Sequence, residues 1–301
     1  MKLSIPIALA FLIPAASQPL GAGEYRAKLS GHGFAPVNGT RIYYEVAGKG
    51  EPLVLIHGGN LDSRMWDDQF ANYAKRYRVV RYDVRGFGGS IRPADQAYSN
   101  ADDLAGLLDY LEMPKAHLVG LSLGGLIALD FAVTRPTRVL SMVLAGPGLS
   151  GYEKSDPDGE EAWWVRVQAA RDEGAEKVVE MWLKDPYMAP AMENPTLAER
   201  LRYLARENAH YWLQNPILQR PPRPPAAQKL REIKVPTLVI LGERDLPRSV
   251  EISARLLRDI NGTKKVVIPG AGHMVNMERP GGFDRAVMEF LNEKPRTGPR
   301  P

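Results

Sequence analysis

The sequence predicts an α/β domain: a mainly parallel central sheet with helices on both faces. Three observations carry this. Short, wholly apolar runs alternate with longer amphipathic stretches, the pattern of buried strands joined by crossover helices. One such run, Ala116-His117-Leu118-Val119, passes through Gly120-Leu121-Ser122-Leu123-Gly124 straight into a helical pattern of Leu126, Ile127, Ala128, Leu129, Phe131 and Ala132. Between residues 148 and 234 the strand rhythm stops, which marks an insert.

The elements follow in order. Residues 34–37 and 40–47 alternate apolar and polar side chains about Asn38-Gly39, a hairpin signal. His32 just before them reads as part of a linker. Pro52-Leu53-Val54-Leu55-Ile56 is the next strand, and residues 78–84 the one after. Leu104, Leu107, Leu108 and Leu111 share one helical face, and Val139-Leu140-Ser141-Met142-Val143-Leu144 is the strand after the serine's helix. Helical patterns at 161–171, 175–183 and 197–213 are broken by Asp185-Pro186, Asn215-Pro216 and Pro221-Pro222-Arg223-Pro224-Pro225, so the insert is helical. Strands resume at residues 236–241 and 265–268. The chain therefore divides into a leader (1–22), a first part of the core (23–148), the helical insert (149–234), a second part of the core (235–294) and a basic, proline-rich tail (295–301) expected to be disordered.

The leader reads as an export signal. Lys2 precedes an almost continuously apolar run over residues 3–13, and Ala15-Ala16-Ser17 offers small residues for cleavage before Gln18, with cleavage after Ala22 as the alternative. The run is short of the ~20 residues a membrane-spanning helix needs. A soluble exported protein, periplasmic or secreted and without stable membrane insertion after cleavage, is expected. The 301 residues, 44% hydrophobic, suffice for a sizeable core. The net charge of +4 is scattered without a basic stripe, so nucleic acid is not implied. With no cysteine, disulfides, thiol catalysis and cysteine-ligated metals are excluded. No cofactor or metal is expected.

Ser122 sits at the apex of a strand, a sharp turn and a helix. Gly120 and Gly124 relieve the crowding there, so the hydroxyl projects above the sheet and the Leu123 backbone N–H, at the start of the helix, faces the oxygen of whatever Ser122 attacks. A serine needs a base and a group to orient that base. Of the five histidines, His32, His117 and His210 read as structural, and His57 as a buried orienting residue. His273 follows an apolar strand and the loop Pro269-Gly270-Ala271-Gly272, where such a sheet places its chemistry. Asp245 ends another strand in Gly242-Glu243-Arg244-Asp245 and is the preferred acid, with Glu243 and Arg244 a solvated pair. A second oxyanion donor is expected from His57-Gly58-Gly59-Asn60: Gly59, with Asn60 as runner-up and as a pocket residue. Gly86-Phe87-Gly88-Gly89 fails the dinucleotide-binding spacing and is a turn, with Asp83 and Arg85 bracing it. The insert's Trp163, Trp164, Trp182, Tyr187, Met188, Met192, Tyr203, Tyr211 and Trp212 mostly pack among themselves but together predict an apolar acyl or alcohol pocket, with Trp163 and Trp164 the first candidates to line it.

On these residues the sequence resembles the α/β-hydrolase superfamily over roughly residues 34 to 293. The matching stretches are His57-Gly58-Gly59, Arg64-Met65-Trp66-Asp67-Asp68-Gln69, Tyr82-Asp83-Val84-Arg85-Gly86-Phe87-Gly88-Gly89-Ser90, Gly120-Leu121-Ser122-Leu123-Gly124-Gly125, Gly242-Glu243-Arg244-Asp245 and Gly270-Ala271-Gly272-His273. The second and third look like the branch with enol-lactonases and small-ester carboxylesterases. The resemblance implies the α/β-hydrolase fold, a helical lid inserted after the sixth strand, and a Ser122, Asp245, His273 triad acting on a small ester or lactone. Superfamily members with dehalogenase or epoxide hydrolase activity carry aspartate where this chain has Ser122, which disfavours those activities. The other class kept open is a non-hydrolytic relative, serving acyl transfer, lyase or perhydrolase chemistry, or a binding protein on the same fold.

Overall fold

The computed structural model describes residues 31–90, 96–152, 157–213 and 218–293, with backbone alone for 157–163. The expected leader (1–22) and tail (295–301) lie outside the described residues.

Asn38 and Gly39 both take positive φ, 44° and 74°, which a two-residue hairpin loop requires and this residue pair readily adopts. They join β1 (Gly31–Val37) to β2 (Thr40–Ala47) in antiparallel register, Val37 opposite Thr40. His32 is therefore a strand residue opposite Glu45, not part of a linker. Gly31 and Gly33 break the alternation there, but the turn sets a register that carries the ladder past them. β2 pairs antiparallel with β4 (Arg78–Tyr82), while β3 (Pro52–Ile56), β5 (Ala116–Leu121), β6 (Val139–Ala145), β7 (Thr237–Gly242) and β8 (Lys264–Ile268) extend the sheet in parallel. The eight strands lie in the order β1-β2-β4-β3-β5-β6-β7-β8.

Crossovers α1 (Asp67–Tyr73), α2 (Asn100–Tyr110) and α3 (Leu123–Thr134) connect the strands up to β6. Between β6 and β7 lie α4 (Pro157–Asp172), α5 (Ala175–Leu183), α6 (Ala189–Met192) and α7 (Pro195–Glu207). The chain closes with α8 (Pro247–Asp259), α9 (Val275–Glu278) and α10 (Pro280–Asn292). Continuous apolar strands serve two cores. Val54 and Ile56 enter one buried cluster and Leu53 and Leu55 the other, and on β5 Ala116 and Leu118 oppose Val119 and Leu121 in the same way. A third, smaller cluster of Val167, Ala169, Ala170, Val178 and Trp212 lies within the segment between β6 and β7. Among the described residues no helix is long and apolar enough to cross a membrane.

The single helix expected over 197–213 is two elements: α7 ends at Glu207 and a 3-10 turn, Ala209–Leu213, follows. The cause is Asn208, fully buried, which leaves helical geometry to use its side chain on the core. Its amide donates to Asp62 Oδ2 at 2.8 Å and Leu204 O at 2.8 Å, and its oxygen accepts the Gly88 N–H at 2.7 Å. β4 likewise ends at Tyr82 rather than Val84, because Asp83 turns in to accept the N–H groups of Ser63 at 2.9 Å and Gly89 at 2.8 Å.

Asp130, 3% exposed on α3, accepts from Ser150 Oγ at 2.5 Å, and Ser150 Oγ accepts the Ala226 N–H. Burial pushes its carboxyl up to about 6, against the pull of Ser150. In the unfolded chain it ionises near 4, so as pH rises from about 4 to 6 the unfolded state releases its proton first and stability falls, by ~3 kcal/mol for this group alone. Thermal unfolding of Asp130→Asn should lose that slope relative to the parent; an unchanged slope would assign it to other groups.

Candidate active site

β3 and β5 are neighbours, but the chain leaves β3 toward β4 and β5 toward β6. Their loops diverge and open a crevice at the carboxyl ends of the strands. Ser122 stands at its edge with φ 53° and ψ −108°, a strained conformation for a residue with a side chain. The surrounding contacts impose it. A Cβ on Gly124 would lie 2.0 Å from the Ile56 carbonyl oxygen, and one on Gly120 2.3 Å from the Gly124 backbone. The Ser122 N–H donates to Ala145 O, and its carbonyl accepts the N–H groups of Leu126 and Gly148. The backbone is thus held on both sides. The side chain faces a cavity of about 340 Å³ that Gly58, Gly59, Asn60, Leu123 and His273 also line.

Asp245 leaves the end of β7 and His273 the end of β8. His273 Nδ1 donates to Asp245 Oδ1 at 2.8 Å, and the same oxygen accepts the Leu246 N–H at 2.8 Å. The Asp245 side chain is fully buried and that of His273 7% exposed. This bond leaves Nε2 as the acceptor nitrogen of the neutral ring. Gly146, φ 45°, closes on the pair: a Cβ there would fall 2.8 Å from Asp245 Oδ2 and 3.0 Å from the His273 ring. The Tyr187 ring packs edge-on to His273, centroids 5.4 Å apart. Glu243 and Arg244 are both exposed, as expected of solvated loop residues, and each also has a partner elsewhere in the fold. Glu243 accepts the Gly270 N–H at 2.9 Å, and Arg244 forks onto Glu193 at 2.6 and 2.8 Å.

The loop after β3 is braced from beneath. His57, fully buried, donates from Nδ1 to Gly58 O at 2.7 Å and accepts the Val84 N–H at Nε2, 2.8 Å. Gly58 N–H is directed to Met65 Sδ at 3.2 Å, whereas a Cβ at Gly59 would meet nothing within 4 Å. Asn60 takes φ 63° and lines the cavity. Asp62 accepts a two-pronged contact from Arg64, at 2.9 and 2.6 Å, together with the Asn208 amide. Burial opposes the charge on Asp62, but the hydrogen bonds from Arg64 and Asn208 hold its carboxyl below the ordinary value. On the far side Arg85 pairs with buried Asp103 at 2.6 and 2.7 Å, bracing the turn as its sequence position suggested.

The segment between β6 and β7 supplies Arg166, Trp182, Tyr187, Tyr211 and Trp212 to the cavity wall. Trp164 is not among the lining residues. It is 49% exposed, because the face of α4 carrying Val167 and Ala170 turns inward and Trp164 stands off it. The Trp163 side chain lies outside the described residues. The pocket is also less apolar than its aromatics suggested: Arg166, ion-paired with Asp185, and Arg248, over the Tyr152 ring at 5.8 Å, line it. No spacing marks either arginine in the sequence, since α4 and α8 approach the crevice only through tertiary packing. Among the described residues no group of three His, Asp or Glu side chains could hold a metal.

Burial drives the His57 imidazole below its ordinary value, although Asp83 and Asp62 pull the other way. His57 therefore stays neutral where a solvated histidine titrates, and acid protonation favours the unfolded chain. By NMR its ring should titrate with a midpoint below ~6.5, or not at all before unfolding. A midpoint above that would mean that the ring does not accept the Val84 N–H.

Comparison with known proteins places the chain in a family. The profile of the Alpha/beta hydrolase family matches residues 53–286. A 2-hydroxy-6-oxononadienedioate/2-hydroxy-6-oxononatrienedioate hydrolase of Burkholderia vietnamiensis is 33% identical over 265 residues, covering 83% of this chain and 91% of that protein. Among solved structures, the enol-lactonase of Burkholderia xenovorans superposes with a TM-score of 0.72 at 28% identity, over 87% of this chain and 100% of that one. A thermophilic esterase of Thermogutta terrifontis gives 0.74 at 28% identity, over 87% and 98%. A strained serine between two packed glycines, a histidine in the same cavity bonded to a buried aspartate behind it, and a family profile spanning most of the strands lead to one assignment: the chain belongs to the α/β-hydrolase family.

Proposed function

We propose that this chain is a serine hydrolase of small carboxylic esters or lactones. One observation carries the reading: His273, held from behind by buried Asp245, lines the same cavity as Ser122 on its strained turn. In this mechanism His273 Nε2 takes the Ser122 hydroxyl proton as Oγ attacks the carbonyl carbon. Asp245 holds the ring and stabilises its cationic form. The carbonyl oxygen, now negative, receives the N–H groups of Leu123 and Gly59. Leu123 is the first residue of α3, so its N–H has no partner within the helix. The tetrahedral adduct collapses to an acyl-serine as His273 returns the proton to the leaving alcohol. Water, activated by the same histidine, then releases the acid.

The helices between β6 and β7 act as a lid in this reading. They wall the cavity with Trp182, Tyr187, Tyr211 and Trp212, which restricts entry to small substrates and keeps bulk water from the oxyanion. A second reading has a specific support. The Burkholderia vietnamiensis relative is named for hydrolysis of a dioate, and Arg166 and Arg248 line this cavity. Cleavage of a carbon–carbon bond next to a ketone in an acidic substrate is therefore the alternative chemistry on the same residues. We also read residues 1–22 as an export signal, on their composition alone. N-terminal sequencing of the mature protein should begin at Gln18 or Gly23.

A fluorophosphonate should label Ser122. Ser122→Ala should abolish labelling and cut ester turnover by about four to six orders of magnitude. Asp245→Asn should fold yet lose most activity, since its amide can present a donor to His273 Nδ1. Ser122→Ala with most of its activity would remove the nucleophile from this reading, and an active Asp245→Asn would pass the acid role to Glu243.

Measured across a panel, short-chain esters or small lactones should show higher kcat/KM than long-chain lipids, and polypeptides should be poor substrates. A higher kcat/KM for 2-hydroxy-6-oxo-dienoates than for every ester and lactone would favour the carbon–carbon reading. A preference for long-chain triglycerides with activation at an oil–water interface would overturn the small-substrate reading.

A further inference from the structure

Glu278, the last residue of α9, takes no part in the chemistry above, and the residue is 9% exposed. It reaches back along the chain to accept the Gly272 N–H at Oε2, 2.7 Å, and the Met274 N–H at Oε1, 2.9 Å. These are the two peptide N–H groups on either side of His273. Neither bond reaches the imidazole. Together they set the direction in which its Cα–Cβ bond leaves the loop, while the Asp245 bond sets the rotation of the ring. The loop is boxed in elsewhere: a Cβ on Gly242 would lie 2.1 Å from Gly272 O, and one on Gly272 2.6 Å from Pro190.

We propose that Glu278 is a positioning residue for His273, its carboxylate bridging the N–H groups of Gly272 and Met274 so that the imidazole is held toward Ser122. The proposal rests on the reading of His273 as the base. A loop closed only by backbone contacts would not need a buried acid. Burial raises the Glu278 carboxyl above its ordinary value, the two N–H donors and Arg279 pulling the other way. A group retained there at that cost has a geometric role. The two acceptors also make the site selective. In Glu278→Gln one oxygen still accepts an N–H, but the NH2 group faces the second N–H, donor against donor. Glu278→Ala leaves both donors without the acceptor.

The test uses the full-length protein with Glu278→Gln and Glu278→Ala, a small ester, and the rate of fluorophosphonate labelling of Ser122, all well below the unfolding temperature. Both kcat and the labelling rate should fall about 100-fold in the alanine variant and about tenfold in the glutamine variant, because loss of near-attack geometry at the base slows both reactions. KM should stay within about twofold of the parent. If the alanine variant does not fold, the glutamine variant decides alone. A folded glutamine variant with parental kcat and labelling rate would overturn the proposal and leave Glu278 a purely structural residue, as would a rise in KM at unchanged kcat. Failure of the underlying reading is separate: His273→Ala would then retain activity, whatever Glu278 does.

Discussion

The close approach of β5 and α3 to the end of β3 is the constraint on which the rest of the molecule depends. A strand running directly into a helix at this distance excludes any Cβ at Gly120 or Gly124. It also forces Ser122 out of the ordinary backbone regions. The cost of that turn is borne by buried apolar strands on both sides of the sheet and by hydrogen bonds to Ser122 from β6 and the loop beyond it. The same approach delivers the α3 N-terminus to the crevice, so strain and a preorganised donor come from one piece of geometry.

Around that turn the polar groups are arranged to hold loops rather than to bind one another. Asp62, Asp83, His57, Asp103 and Glu278 are all buried, and each takes backbone N–H groups or an arginine. Buried polar groups left unpaired would weaken the fold. Satisfied, they restrict the loops after β3, β4 and β8 to one shape. Asn208 extends this to the segment between β6 and β7, joining Asp62 to the Gly88 N–H through a single side chain.

Much of this was legible in the sequence, for identifiable reasons. Glycines that admit no Cβ, an Asn-Gly turn and apolar runs of strand length carry their geometry locally, so the sheet, the Ser122 turn and the loops bearing Asp245 and His273 could be placed by position alone. What escaped depends on elements far apart in the chain. Trp164 and Arg166 are two residues apart on one helix, yet one is exposed and the other lines the cavity. Composition cannot choose between them, because the rotation of α4 is set by its packing. The break at Asn208 falls inside a regular helical pattern, and its cause, Asp62, lies in another loop. Glu278 was invisible for a similar reason: an acid near the end of a short helix is ordinary until its partners are known.

The three residues assigned to the chemistry stand on three different loops, and more than 120 residues of chain separate Ser122 from Asp245. Their meeting requires β6, β7 and β8 all to be paired in the sheet, a high-contact-order arrangement whose loop-closure entropy is met before the contacts that reward it form. A partly assembled sheet can bury Ser122 in its turn but has no histidine to place beside it. On the proposed reading, reactivity at that serine therefore requires the edge strand β8 to be in place, and labelling of the site would report completion of the fold.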